Sequence, residues 1–243
     1  MATLVLVRHA RSTANVSGVL TGRLPGVHLD DTGREQAVRA GERLAAVPLA
    51  AVVSSPLERC RETAKALIDA SAERPRVTTE RGLVECDYGE WQGRKLSELA
   101  RLKLWRSVQR HPAGVTFPGG ESMADMSARA VAAVRRHDAR VEDAAGSSAV
   151  WAAVTHGDLV KAILADALGL HLDQFQRIHV DPASISVVRY TPEAAFVLQT
   201  NTHAGDLSWL APRGKAQAPR AGVVGGGAGP GASARRAAGT GQR

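Results

Sequence analysis

The 243-residue chain is poor in cysteine and has no long apolar run, and each shortage excludes a class of protein. Cys60 and Cys86 are its only cysteines and neither sits in a CxxC pair, so no disulfide framework can be built. No apolar run nears the roughly 18 residues of a membrane-spanning helix, so no membrane role is expected. Met1 to Val7 carry no basic stretch and no cleavage-type spacer, so a secretory leader is not expected either. These features point to a reduced, cytoplasmic protein. What is present in quantity is core-forming material: 44% of residues are hydrophobic and 23% charged, which excludes a wholly disordered chain.

Acidic residues are missing from one region only. Residues 211–243 hold six basic groups (Arg213, Lys215, Arg220, Arg235, Arg236 and Arg243) and no acid, and they are Gly/Ala-rich with three prolines. The whole chain carries +7, from 31 basic and 24 acidic residues; without those six, residues 1–210 hold 25 against 24. The basic excess therefore belongs to the tail. With no apolar periodicity, 211–243 is expected to be a disordered extension of a domain spanning 1–210. Contact of such a tail with nucleic acid would be unspecific, and a solvated tail is the simpler expectation.

Within 1–210, strand-like and helix-like segments alternate. Leu4–Val7, Ala50–Val53, Arg76–Thr79, Ala149–Thr155, Ile185–Tyr190 and Phe196–Thr200 read as strands. A capping box at Thr32–Glu35 opens a helix with Ala37, Ala40, Leu44 and Val47 on one face, and a second at Ser55–Glu58 opens one through Ala64, Leu67 and Ile68. Ser122 opens a long helix with Met126, Ala130, Ala133, Val134 and Val141, and Leu159–Leu168 forms another. This order predicts an α/β three-layer sandwich with a mainly parallel central sheet flanked by helices.

In such sheets ligands bind beyond the carboxyl ends of the strands. There the sequence places Arg8 and His9, then Ser54, Ser55 and Arg59, then His156, Gly157 and Asp158. Guanidinium forks suit a tetrahedral phosphate dianion, and the helix after His156 adds backbone N–H groups. Serine, cysteine, aspartate and histidine are all chemically able to attack phosphorus; a histidine must be neutral to do so, and Arg8 and Arg59 would hold His9 neutral by like-charge repulsion. The loop Leu83–Gly93 offers Glu85, Asp87 and Glu90 as proton donors, and residue type alone does not choose among them.

The ordered set of motifs resembles the histidine phosphatase superfamily, the phosphoglycerate-mutase-like group. Leu4-Val-Leu-Val-Arg8-His9-Ala10-Arg-Ser-Thr-Ala-Asn15 is similar to its N-terminal signature, and Val53-Ser-Ser-Pro-Leu-Glu-Arg59-Cys-Arg-Glu-Thr63-Ala to its second motif. Glu85 opens a segment similar to its acid segment, and Val154-Thr-His156-Gly157-Asp158 resembles its last motif. Pro118-Gly-Gly-Glu121-Ser122 resembles the phosphatase-type branch. The resemblance implies His9 as the phosphorylated nucleophile, Arg8, Arg59 and His156 as holders of the phosphoryl oxygens, and Glu85 as proton donor. It further implies Asn15 as a hydrogen-bond donor on the phosphate side and Thr21 and Gly22 as the lining of the substrate mouth; Gly157, without a side chain, allows a phosphate to approach the helix start closely. The family's usual glycine after the histidine is Ala10 here. The implied activity is a metal-independent phosphatase without cofactor, acting on a small phosphorylated metabolite; the alternatives are a phosphomutase and a non-catalytic regulatory binding protein.

Plainer readings compete residue by residue. Arg59 is equally suited to pairing with Glu62 on an exposed helix face, and His156-Gly157-Asp158 to a metal-ligand fragment, although no matching His/Asp cluster occurs elsewhere. Trp91 and Trp105 suit a pocket or a core, Cys60 a small buried position on its helix. His28, His111, His137, His171, His179 and His203 follow no partner pattern and are expected at the surface.

Overall fold

A computed structural model describes residues 2–204, and the basic tail expected over 211–243 lies outside the described residues. The chain begins with strand β1 (Thr3–Arg8), helix α1 (Thr13–Ser17), β2 (Val19–Leu20), α2 (Asp31–Leu44), β3 (Leu49–Ser54), α3 (Glu58–Ala70) and β4 (Val77–Thr79). It continues with β5 (Arg94–Lys95), α4 (Leu96–Leu99), α5 (Lys103–Arg110), α6 (Met123–Ala145), β6 (Val150–Thr155), α7 (Gly157–Ala167), β7 (Ile185–Tyr190) and β8 (Ala195–Thr202). The main sheet has the order β4-β3-β6-β1-β7-β8. Its first four strands run parallel, whereas β7 is antiparallel to β1 and β8 to β7.

The period-two alternation of a strand decides the layering. Leu4 and Leu6 of β1, Val53 of β3, and Trp151 and Ala153 of β6 share one core with Met126, Ala130 and Val134 of α6 and Leu159 and Ile163 of α7. The intervening residues Val5, Val7, Val52, Ala152 and Val154 face the opposite way, onto Ala37, Ala40 and Leu44 of α2 and Ala64 and Leu67 of α3. The central strands are thus covered on both faces, which is why they read as continuous apolar runs. The result is the expected α/β/α three-layer sandwich. No helix among the described residues is long and apolar enough to cross a membrane.

Both helix starts near the site differ from their sequence expectation. The cap of α2 is Asp30, whose carboxylate accepts the Gly33 amide at 2.7 Å, in place of Thr32. Asp30 also pairs with Arg11 at 2.7 Å, so the helix opens where one carboxylate can serve two donors. Asp30→Ala is therefore expected to cost about 1 kcal/mol, a drop of a few degrees in Tm by thermal melting. Helix α3 has no side-chain cap at Leu57, because Ser55 turns inward to His156 instead. The segment from 80 to 121, for which the sequence suggested no element, consists of short turns, β5, α4 and α5. It delivers Leu99, Val108 and Phe117 to the core beneath α6, and β5 pairs with β2.

Candidate active site

Parallel register brings the site together. Arg8 lies opposite Thr155 and Ser54 opposite Val154, so His9, Ser55 and His156 leave three neighbouring strands at the same end. Arg59 projects from the first turn of α3 and Glu85 from the loop after β4. Arg8, His9, Arg59, Glu85 and His156 are each at most 3% exposed, a concentration of titratable groups that packing alone does not produce.

Two imidazoles have their protons placed by their neighbours. Nδ1 of His9 lies 2.8 Å from the Ala10 carbonyl oxygen. A carbonyl only accepts, so Nδ1 carries the proton and Nε2 the lone pair. Burial, then the charges of Arg59 and Arg8, push the His9 pKa well below the ordinary histidine value, so the ring is neutral at neutral pH. In His156 the pattern is reversed: Nδ1 accepts from Nη2 of Arg59 at 3.2 Å, leaving Nε2–H to donate to Ser55 Oγ at 2.8 Å. Burial and Arg59 depress its pKa as well. The 3.7 Å approach of Glu85 Oε2 to His156 Nδ1 is therefore not an ion pair. The two rings meet edge-on with centroids 5.3 Å apart.

The cations have unequal surroundings. Arg8 donates to the Val180 carbonyl at 2.8 Å; burial lowers its pKa, and the charges of Asp181, Glu85 and Asp158 oppose that. Arg59 donates through Nη2 to the Gly22 carbonyl at 2.9 Å. Its buried Nη1 has no hydrogen-bond partner among the described residues, and an unsatisfied buried donor of this kind costs about 1–3 kcal/mol. Gly22 has φ +52°, and a Cβ there would meet Gln92 Oε1 at 2.4 Å, so glycine is required where the mouth loop crosses Gln92 to reach Arg59.

Among the three candidate acids the geometry selects one. Glu90 is exposed, and Asp87 is spent on the Gly89 amide at 3.0 Å and on Arg23 at 3.5 Å. Glu85 alone is buried against His156, accepting the Cys86 amide at 2.9 Å. Burial, then the Asp158 charge, raises its pKa to about 7, against the pull of Arg59 and Arg8. A carboxyl group in this state holds its proton near neutral pH.

Gly157 is the buried first residue of α7. Thr21 accepts the Leu24 amide through its carbonyl in the mouth loop. Asn15 closes a capping box with Ser12, its Oδ1 accepting from Ser12 N at 3.0 Å and Ser12 Oγ at 2.9 Å. Ala10 keeps an ordinary backbone, packs its methyl into the α2/α3 core and donates its amide to Thr63 Oγ1 at 3.1 Å.

The Arg59–Glu62 pairing is absent, because Glu62 binds His28 and the Leu29 amide instead. Asp158 accepts from Tyr88 Oη at 2.8 Å and lies 3.6 Å from Lys161. No group of three His, Cys, Asp or Glu suited to a metal occurs among the described residues. Trp91 is a core residue stacked on Trp105, with centroids 6.1 Å apart. Cys60 is buried with Sγ 3.4 Å from His156 Nε2, its pKa raised to about 12 by burial, which keeps it a thiol. His137 departs from its expected surface position: it is half-buried, 2.9 Å from Glu80. Asp158, which the sequence places at the strand end, supports the site together with Tyr88 and Asp181, neither of which the sequence singles out. Asp181 in particular, held by Asn201 at 2.6 and 3.0 Å, meets Arg8 only through the fold and leaves no local signal.

A family model described as "Histidine phosphatase superfamily (branch 1)" matches residues 4–203. A glucosyl-3-phosphoglycerate phosphatase of Mycolicibacterium vanbaalenii is 37% identical over 71% of this chain and 76% of its own. A 2,3-bisphosphoglycerate-dependent phosphoglycerate mutase of Gloeobacter violaceus is 32% identical over 74% and 82%. The solved structure of mycobacterial glucosyl-3-phosphoglycerate phosphatase in complex with VO3 superposes with a TM-score of 0.74, at 27% identity over 82% of this chain and 98% of that one.

Proposed function

For a chain that belongs to branch 1 of the histidine phosphatase superfamily, we propose hydrolysis of a small phosphorylated metabolite, a phosphomonoester, through a phosphohistidine at His9. The observation that carries this is the pairing of a neutral His9, its Nε2 lone pair free of the Nδ1 proton, with a buried Glu85 that is protonated near neutrality. A nucleophile and an acid in complementary states are what an in-line phosphoryl transfer needs.

Nε2 of His9 attacks phosphorus as the ester P–O bond breaks, and Glu85 gives its proton to the departing alcohol oxygen. The Glu85 carboxylate then takes a proton from water as that oxygen attacks phosphorus and the P–N bond breaks. Phosphate leaves, Glu85 is protonated again and His9 is neutral again. Arg8, Arg59 and His156 hold the phosphoryl oxygens, with Arg59 Nη1 as the donor that an anion satisfies. When Arg59 turns to the anion, His156 can change tautomer, its Nε2 accepting from the Ser55 hydroxyl and its Nδ1–H donating to a phosphoryl oxygen. The Asn15 amide group, Thr21, Gly22 and the Gly157 N–H at the start of α7 line the rest of the pocket.

A phosphomutase is the second reading, favoured by the mutase relative at 32% identity. The same phosphohistidine would then pass its group to a second alcohol. A non-catalytic binding role fits poorly with an intact set of nucleophile, acid and cations. Screening a panel of metabolite monoesters for inorganic phosphate release against isomer formation separates the readings. Orthovanadate, which adopts the five-coordinate geometry of the transition state, is expected to abolish phosphate release, and a chelator to leave it unchanged. Loss of activity with the chelator, restored by added metal, would contradict the mechanism.

A further inference from the structure

Glu85 sits in a loop with no ladder of its own, so something outside the loop must fix its carboxyl. One guanidinium does much of this. Nη1 of Arg129, on α6, donates to the carbonyls of Gly82 at 2.9 Å and Val84 at 2.7 Å, while Nη2 donates to the Glu85 carbonyl at 3.1 Å. Arg23, from the mouth loop, adds a second hydrogen bond to the same Glu85 carbonyl through Nε at 2.9 Å. Two cations thus grip one peptide oxygen.

Glu121 holds both of them. Its Oε2 accepts from Arg129 Nε at 3.0 Å, and its Oε1 accepts from Arg129 Nη2 at 2.6 Å and Arg23 Nη2 at 2.9 Å. Oε1 also accepts the Asp87 amide at 2.8 Å, and the Glu121 amide returns a bond to the Asp87 carbonyl at 3.0 Å. The rest of the Pro118–Ser122 motif serves the same junction. The Pro118 carbonyl takes the Glu90 amide at 2.9 Å. A Cβ on Gly120 would stand 2.2 Å from the Asp87 carbonyl oxygen, so only glycine lets the two loops touch backbone to backbone. Ser122 caps α6, the helix that presents Arg129.

We infer that Glu121, acting through Arg129 and Arg23, is a positioning residue that aims the Glu85 carboxyl at the leaving oxygen. The inference rests on the reading of Glu85 as general acid. A carboxyl group must come within hydrogen-bond reach of the oxygen it protonates, and a loop released from its clamp loses that aim before it loses its fold. Glu121→Gln puts an amide N–H against either Arg129 or the Asp87 amide. Arg129→Lys cannot reach three carbonyls and a carboxylate from one point charge.

Leaving-group dependence separates aim from mere stability. An alkyl phosphate needs a proton on its departing oxygen, whereas 2,4-dinitrophenyl phosphate does not. In E121Q and R129K, kcat/KM for the alkyl ester is expected to fall about 10- to 100-fold, and for the dinitrophenyl ester by less than about threefold, at temperatures where melting curves show both variants folded. Glu85→Gln, run alongside, should show the same selectivity with a larger gap. Equal losses on both esters in folded E121Q and R129K, with E85Q still selective, would overturn the role of Glu121 alone. Equal losses in E85Q would overturn the acid assignment, and the inference built on it. Should E121Q not fold, R129K decides the question by the same comparison.

Discussion

His9→Ala is expected to leave a folded protein whose turnover has fallen at least about a thousandfold, the scale on which enzymes lose activity with their nucleophile. The side chain carries little of the fold: its Nδ1 bond is to the carbonyl of the next residue and its ring meets His156 edge-on. Truncation leaves a small buried cavity, a loss on the order of 1–3 kcal/mol that thermal melting can register. Neither Cys60 nor Ser55 can substitute. Cys60 is a thiol, with its pKa near 12, and Ser55 already accepts from His156. Phosphate-release kinetics check the loss, and radiolabel trapping checks the cause. An acid-labile, base-stable phosphoramidate should form in the wild-type protein and be missing from the variant. Turnover at the wild-type rate in folded His9→Ala would remove His9 from the mechanism.

Glu85→Gln should cost about 10²- to 10⁴-fold in turnover of alkyl esters, the usual contribution of a positioned acid. Its pH signature is as informative as its size. In the wild-type protein kcat/KM should decline as pH rises through about 7, where the buried carboxyl gives up its proton, and the variant should lack that limb. Stability should move with the same ionisation. The folded protein keeps the Glu85 proton up to about 7, whereas the unfolded chain releases it near the ordinary 4.5. The folded state therefore binds the extra proton between those values. The stability this contributes is full below 4.5 and lost as pH rises through 7. A glutamine does not titrate, so the Tm of Glu85→Gln relative to wild type should climb between pH 5 and 8 and then level off. At about 1.4 kcal/mol per pKa unit, the whole swing is at most about 3.5 kcal/mol. A Tm difference that stays constant across that range would show that Glu85 is not a buried acid.

Much of this was legible in the sequence, for identifiable reasons. Strands β1, β3 and β6 are covered on both faces, so they appear as unbroken apolar runs, and α6 repeats its apolar stripe over 23 residues. Residues that leave parallel strands converge by construction, so the sequence alone brings Arg8, His9 and His156 together. Other features have no local trace. Thr32 and Asp30 are both good caps, and the choice fell to Asp30 because Arg11 gives it a second partner. Ser55 followed by proline has the pattern of a cap, but a buried imidazole competed for its hydroxyl. The elements between 80 and 121 are two to eight residues long, too short to display a period. The selection of Glu85 over Asp87 and Glu90 depended on burial. The Glu121–Arg129 clamp depended on contacts between three separated loops and a helix.

The strand order has a consequence for how this protein is made. Strands β1 and β3 are translated early, yet they never touch in the finished sheet, because β6 lies between them. A growing chain that has emerged as far as residue 149 therefore lacks the strand that joins the two, and the ladder edges of Thr3–Arg8 and Leu49–Ser54 that β6 will pair have no partner from it. Only when Val150–Thr155 slides in do the two flanks acquire their native spacing. The same insertion delivers His156 between His9 and Arg59. Vectorial synthesis thus keeps the phosphate centre unassembled, and two strand edges unpaired, until Val150–Thr155 has been made.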